Sequence, residues 1–341
     1  MITALRHVLA AAVLAALPAL PLGAVAQTTV LFNSFIPPGH PVNTRIMKPW
    51  TDEITQATSG RVKFDIPTSS LAAPPQQMDG VVKGVFDMAY QFHGLMPNAR
   101  LSQLPQLPGV NSTAKGSSIA LWRTHEKFFK QANEYKDVHV IAMWVGLQGP
   151  IFAMKGALDS PAQLKGLKMY GLPGPAAKVL EGAGAGVVAV PAVRSHEIIS
   201  GGTVDAFAGY SLMDANAFKT LQYAKHIVDV PGGLTSPSFV VFMNKKKWDS
   251  LSQPDRDVIT QLGGEAFAAR STAYDEIDTK VRAEAAAAGT DIKEASAALA
   301  AEVMKHAKPL QDAWIADAKA MGVDGAAALA FYRDEAKKNA K

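Results

Sequence analysis

Two kinds of side-chain constellation could carry chemistry in this sequence, and they have to be weighed separately. The first would be catalytic or metal-binding. His125-Glu126 and His196-Glu197 each begin the pattern of a zinc hydrolase, but neither is followed by a second histidine at the spacing that puts two imidazoles on one helix face. His40, His93, His139, His226 and His306 are scattered, and the chain has no cysteine, so thiolate metal sites and disulfides are excluded. Neither a Gly-x-Ser-x-Gly elbow nor a phosphate loop occurs. Gly182, Gly184 and Gly186 resemble a dinucleotide fingerprint in spacing alone. They follow a predicted helix and lead into a strand, the reverse of the order that lays a pyrophosphate on a helix N-terminus. This reading gives no catalytic residue, no metal and no cofactor, and hence no enzyme.

The second kind would bind a small molecule. Phe35, Tyr90, Phe92, Trp144, Tyr170, Phe207 and Tyr210 all fall at the predicted carboxyl ends of strands, with Gln91, His93 and Gln148 beside them as polar candidates. Aromatic walls bury ligand area and a few polar groups fix orientation, which is what a small-molecule cleft requires. Any one of these rings alone is more often core. Their recurrence at strand ends is what makes them a group.

The elements that must position them are clearest in residues 157–210. Asp159-Ser160-Pro161 starts a helical turn, with a side-chain oxygen to cap free N–H groups and a proline whose missing donor costs nothing there. Residues 167–170 read as a buried strand, 176–182 as a helix, 187–190 as a strand, 194–200 as a helix and 203–208 as a strand. Such alternation implies parallel βαβ units, whose sheets bind ligands at the carboxyl ends of their strands. Upstream, strands are predicted at 28–35, 61–66, 86–92 and 138–145, and helices at 43–58, 74–84 and 112–134. Downstream, a return strand is placed near 236–244 and a long helical region at 252–289, interrupted by Gly263-Gly264. Two Ala-rich helices split at Gly322 follow.

These stretches carry a family resemblance. LKGLKMYG (164–171) resembles the LKGLKIRV signature of the extracytoplasmic solute receptors of TRAP (tripartite ATP-independent periplasmic) transporters, the DctP-like periplasmic substrate-binding proteins. VVAVPAVRSHEIISGGTVDA (187–206) aligns without gaps to that family's strand, helix and strand, and HIVDVPGGLTSPSFVVFMNKKKWDSL (226–251) continues the match. The resemblance implies a two-domain α/β periplasmic-binding-protein fold with hinge crossings and a long helix spanning both domains. It also implies a function: capture of a small organic solute, a carboxylate by family default, and delivery to integral-membrane TRAP subunits. A ligand-sensing subunit of a membrane signalling receptor is the alternative.

At three family positions this sequence departs. Tyr170 stands where the family arginine forms a two-pronged salt bridge with the substrate carboxylate, and Gly209 aligns with a family asparagine. Arg194 replaces a family glutamate, so three accounts stay open. Arg194 restores the missing positive charge; or the site is an aromatic box for a neutral, aromatic or cationic solute; or Arg194 is a solvated helix start.

Residues 1–26 have the charged start (Arg6), apolar middle and Ala24-Val25-Ala26 end of a signal peptide cleaved near Ala26/Gln27, which predicts export to the periplasm. The remainder exceeds what one core usually manages, so two domains are expected: residues 27–147 plus 236–276, and residues 148–235 plus 277–341. Lys+Arg 34 against Asp+Glu 30, with no basic block, argues against a nucleic-acid partner.

Overall fold

The structure, a computed structural model, describes residues 27–341. The expected signal peptide therefore lies outside the described residues. The strands in chain order are β1 (Thr28–Asn33), β2 (Val62–Asp65), β3 (Met88–Phe92), β4 (Val138–Val145), β5 (Ile151–Ala153), β6 (Lys168–Gly171), β7 (Gly186–Ala189), β8 (Ala206–Ala208), β9 (His226–Asp229), β10 (Ser238–Asn244) and β11 (Asp291–Glu294). They form two sheets, in the orders β2-β1-β3-β10-β4 and β11-β9-β5-β8-β6-β7. The fold is thus α/β with two domains.

Each sheet is parallel except for the strand laid down just after the chain crosses between domains. β5 runs antiparallel to β8 and β9 in the second sheet, and β10 antiparallel to β3 and β4 in the first. Register makes these strands aromatic ladders. Phe239 of β10 lies opposite both Phe92 and Trp144, and Phe152 of β5 lies opposite Phe207, with the last two rings stacked at 4.5 Å. Cross-strand aromatic pairs contribute beyond their area, about 0.5–1.5 kcal/mol each. The sequence reading found strands at the places of β1, β2, β3, β4, β6, β7, β8 and β10 but missed β5, β9 and β11.

The helices, in chain order, are α1 (Lys48–Ala57), α2 (Gln77–Val82), α3 (Ala114–Thr124), α4 (Pro175–Gly182), α5 (Ser195–Ser200), α6 (Leu212–Ala217), α7 (Lys245–Ser250), α8 (Gln253–Leu262), α9 (Gly264–Ala269), α10 (Thr272–Ala287), α11 (Ala297–Ala320) and α12 (Gly325–Lys338). The helix expected over 112–134 is α3 followed by a wider turn at His125–Phe129. It ends at Asn133, whose φ of 54° is left-handed. The long region expected at 252–289 is α8, α9 and α10 in succession. Its first break has a packing cause: a Cβ on Gly263 would stand 2.8 Å from the Ile141 carbonyl oxygen.

Two helices bridge the domains. α10 starts in the first, where Asp275 accepts the Ala114 N–H at 2.9 Å, and ends in the second, where Arg282 grips Asp229 at 2.7 and 3.0 Å. α11 begins against the second-domain core through Leu299 and Val303 and ends in the first-domain core with Trp314 and Ala318. The packing parts from the boundary expected from sequence, which assigned 277–341 entirely to the second domain. α12 lies on α3, with Ala328, Tyr332 and Ala336 in the first-domain core. Gly116 permits that approach, since a Cβ there would meet the Ala336 carbonyl at 2.4 Å.

The crossing segments between β4 and β5 and between β9 and β10 run side by side. Gly146 N–H donates to Pro237 O at 2.7 Å and Gly149 N–H to Thr235 O at 3.0 Å. They form a two-stranded hinge beneath the space between the domains.

Candidate functional site

A narrow cavity of about 40 Å³ lies where the two domains face each other. The carboxyl ends of β1 and β3 supply Phe35, Ile36, Phe92 and Leu95, and the amino end of the antiparallel β10 supplies Pro237 and Phe239. From the second domain come Leu172 after β6, Pro191 and Ala192 after β7, and Tyr210, Asp214 and Phe218 after β8. Every parallel strand contributing to it does so from its carboxyl end, as βαβ geometry requires.

Three of the sequence candidates, Phe35, Phe92 and Tyr210, meet in this wall. Tyr90 and Trp144 form the layer behind it. Tyr90 packs at 5.2 Å on Phe35 and 5.4 Å on Trp144, and Trp144 stacks on Phe239 at 4.5 Å. Tyr170 and Phe207 are fully buried behind Tyr210, at 5.9 and 6.0 Å between ring centres. The Tyr170 hydroxyl donates to the Val190 carbonyl at 3.1 Å, and burial raises its pKa well above the ordinary value, so it stays a neutral phenol.

The remaining candidates are placed elsewhere. Gln148 braces the hinge by donating to Ser112 O at 3.1 Å. Gly209 has a φ of 106°, and a Cβ there would sit 2.9 Å from the Leu172 nitrogen, so no side chain can reach the ligand from this position. Arg194 is exposed, at 57%, and bidentate to Glu197 at 2.7 and 2.9 Å on the first turns leading into α5.

The polar candidates are occupied by the scaffold. Gln91 accepts the Met78 N–H and donates to Pro75 O. His93 bridges Ser238 Oγ and the Tyr135 hydroxyl, each at 2.9 Å. Burial, with the nearby His125 adding to it, lowers the His93 pKa to about 3.

Sequence reasoning missed Phe239, Phe218 and Asp214. Phe239 enters from an antiparallel strand, so a rule about carboxyl ends passes over it. The other two sit on and after α6, and the signal available was Ser211 with Asp214 three residues on, a capping box that places a helix start directly after β8.

Among the described residues Asp214 is the one formally charged side chain that lines the cavity. Its Oδ2 accepts from Ser211 N at 3.3 Å and Ser211 Oγ at 3.0 Å. Its Oδ1 faces His40 Nε2, across the domain boundary, at 3.3 Å. His40 is buried, packed with its ring centre 4.9 Å from that of Phe218 in a tilted arrangement, and its Nδ1 accepts the Val42 N–H, which assigns the ring proton to Nε2. The arrangement sets an apolar, ring-lined cavity with one carboxylate between the two lobes.

Among the described residues no group of three or more His, Asp or Glu is placed to hold a metal, and no helix is long and apolar enough to cross a membrane. Known proteins resemble this one throughout its length. The outer membrane transporter protein TsaT of Comamonas testosteroni is 51% identical over 336 residues, 98% of each chain. A TRAP periplasmic solute-binding protein of Bordetella bronchiseptica, solved with bound (R)- and (S)-mandelate, superposes with a TM-score of 0.87 at 31% identity, covering 91% of this chain and 99% of that one. A marine metagenome TRAP solute-binding protein specific for aromatic acids, solved with 3-hydroxybenzoate, gives 0.84 at 29% identity over 93% and 100%. The profile described as "Bacterial extracellular solute-binding protein, family 7" matches residues 32–317. The chain belongs to this family, as a TRAP-type solute receptor for small organic solutes and not an enzyme.

Proposed function

We propose that the solute is a small aromatic organic acid, captured in the periplasm by closure of the two domains and presented to TRAP membrane subunits. The observation that carries this reading is the wall of Phe35, Phe92, Tyr210, Phe218 and Phe239, drawn from both domains around one cavity. An aromatic ring buries about 150–250 Å², which at about 25 cal/mol/Å² is a gross gain of about 4–6 kcal/mol. The aromatic acids bound by the two similar solved receptors support the acid. With neither lysine nor arginine in the described wall, the carboxylate is held by hydration and hydrogen bonds at the cavity mouth, because burying it unpaired would cost several kcal/mol. The export reading of residues 1–26 fits this role, and the intact mass of the periplasmic protein tests it.

The functional test is calorimetric titration of residues 27–341 with benzoate, mandelate and 3-hydroxybenzoate against succinate and a sugar. Aromatic acids should bind and succinate should not, with a Kd that changes little with salt. Tight succinate binding, or a steep loss of affinity with salt, would overturn the reading.

A further inference from the structure

Resting on the aromatic-acid reading, we propose that Asp214 is a specificity-determining residue that selects aromatic solutes bearing a hydrogen-bond donor, such as a ring hydroxyl, away from their carboxylate. The argument is one of unused acceptor capacity. An ionised carboxylate accepts at about four lone-pair positions. Oδ2 of Asp214 is taken by the backbone and hydroxyl of Ser211, whereas Oδ1 faces only His40. That contact is 3.3 Å long and falls short of a hydrogen bond, leaving His40 Nε2 without a partner although the ring is 4% exposed. Asp214 thus brings a carboxylate with an uncommitted oxygen to a cavity whose other lining groups are almost all apolar.

The charge has a second consequence. A carboxylate in the wall repels a ligand carboxylate placed beside it, and a largely apolar surrounding screens that repulsion less than water does. The ligand must turn its acid group away and present its opposite edge to Asp214. An unsubstituted ring then leaves Oδ1 without a donor, while a hydroxylated ring supplies one. His40 is a positioning residue here: it approaches from the first domain, so closure brings its ring against Phe218 and its Nε2–H toward Oδ1, holding the carboxylate at the cavity.

The test compares benzoate with 2-, 3- and 4-hydroxybenzoate by calorimetry on the wild type, Asp214→Asn and Asp214→Ala. The wild type should prefer its best hydroxybenzoate over benzoate by about 10- to 100-fold, the usual range for one hydrogen bond to a charged group. Asp214→Ala should shrink that ratio to about 2-fold or less by weakening the hydroxybenzoate more than benzoate. Asp214→Asn keeps a capping oxygen for Ser211 and should give an intermediate ratio. His40→Gln should lower the ratio, a selective change that general damage to the fold, which weakens both acids alike, would not produce. If the wild type binds both acids equally, or Asp214→Ala keeps the preference, the assignment of Asp214 is overturned and the aromatic-acid reading stands. If the wild type binds none of the four acids, that reading falls and this proposal with it.

Discussion

Two concavities among the described residues are lined by aromatic rings, and they differ in their relation to the hinge. The larger, of about 400 Å³, runs along β4 on the first domain and is lined by Trp122, His125, Tyr135, His139 and Trp248. Its rings are committed to the protein itself: His139 stacks on Trp248 at 3.8 Å, and Trp122 lies 5.9 Å from His125. Burial lowers the pKa of His125 and of His139 to about 4. The smaller concavity, of about 40 Å³, draws its rings from two lobes joined by a hinge. Closure can bring more surface onto a ligand there, whereas a groove confined to one domain has nothing to close over it. Location relative to the hinge, more than volume, marks the site.

The largest expected effect separates the two at once. Phe239→Ala removes a ring that lines the cavity, takes from Trp144 its stacked partner and from Phe92 a tilted ring neighbour. The affinity for an aromatic acid should fall by about 1.5–3 kcal/mol, the worth of burying one such side chain. Trp248→Ala in the outer groove should leave the Kd within about 2-fold while lowering the melting temperature. Calorimetry and thermal melts on both variants read this out; equal losses of affinity would erase the distinction between the two concavities.

His125 sharpens the comparison through pH. Burial depresses its pKa to about 4, with Glu126 opposing the shift and Lys130 adding to it. Below its ordinary value of 6.5 the unfolded chain takes up a proton that the folded chain refuses, so stability is lost as pH falls from 6.5 toward about 4. The full difference is roughly 3 kcal/mol. His125→Gln should remove that share of the slope, seen as the wild-type-minus-variant difference in unfolding free energy between pH 4 and 7. Affinity for the aromatic acid should be unmoved. A parallel change in affinity would tie the outer groove to the cleft.

A smaller effect is expected at Tyr170. Its hydroxyl donates to Val190 O just before cavity residues Pro191 and Ala192, so Tyr170→Phe should cost about 0.5–1.5 kcal/mol of stability for one hydrogen bond. Because Tyr210 stands between Tyr170 and the cavity, affinity should change by less than about 2-fold. A loss of 10-fold or more would mean that the phenol reaches the solute.

Much of the architecture was legible because apolar strand stretches alternate with helices along the chain. Residues 168–171, 186–189 and 206–208 emerge almost where alternation places them, and the sheet's parallel order brings their ends together. What the sequence could not show was depth. In a strand buried on both faces, Met169 and Tyr170 are equally inaccessible, and the carboxyl end of a strand holds both wall and backing. Tyr210 lines the cavity and Phe207, three residues earlier, does not. Phe239 was hidden for a different reason. It sits in the strand that returns antiparallel, so it enters the site by the opposite end, and only the register against Phe92 and Trp144 reveals it.

The smallest expected effect is at Arg194, and it bears on the oldest question the sequence raised, whether this cation replaces the arginine absent at Tyr170. A sequence-level clue pointed away from the cleft: Glu197 lies three residues on, at the spacing that brings side chains together on a helix surface. The guanidinium takes that partner with two hydrogen bonds and stays in solvent, while neighbouring Ala192 turns inward to line the cavity. An exposed pair of this kind gains little, because water screens the attraction and two side chains must be held still. Arg194→Ala should therefore leave both the melting temperature and the Kd for an aromatic acid within experimental scatter, with the salt dependence of binding unchanged. To serve the solute, Arg194 would have to leave Glu197 and swing across the cavity mouth on closure. That alternative makes a distinct demand: Glu197→Gln, by freeing the guanidinium, would tighten binding of the acid, and Arg194→Ala would weaken it by 10-fold or more. Titrating both variants side by side decides between a surface ion pair and a latent carboxylate clamp, and silence from both is the outcome the cavity wall predicts.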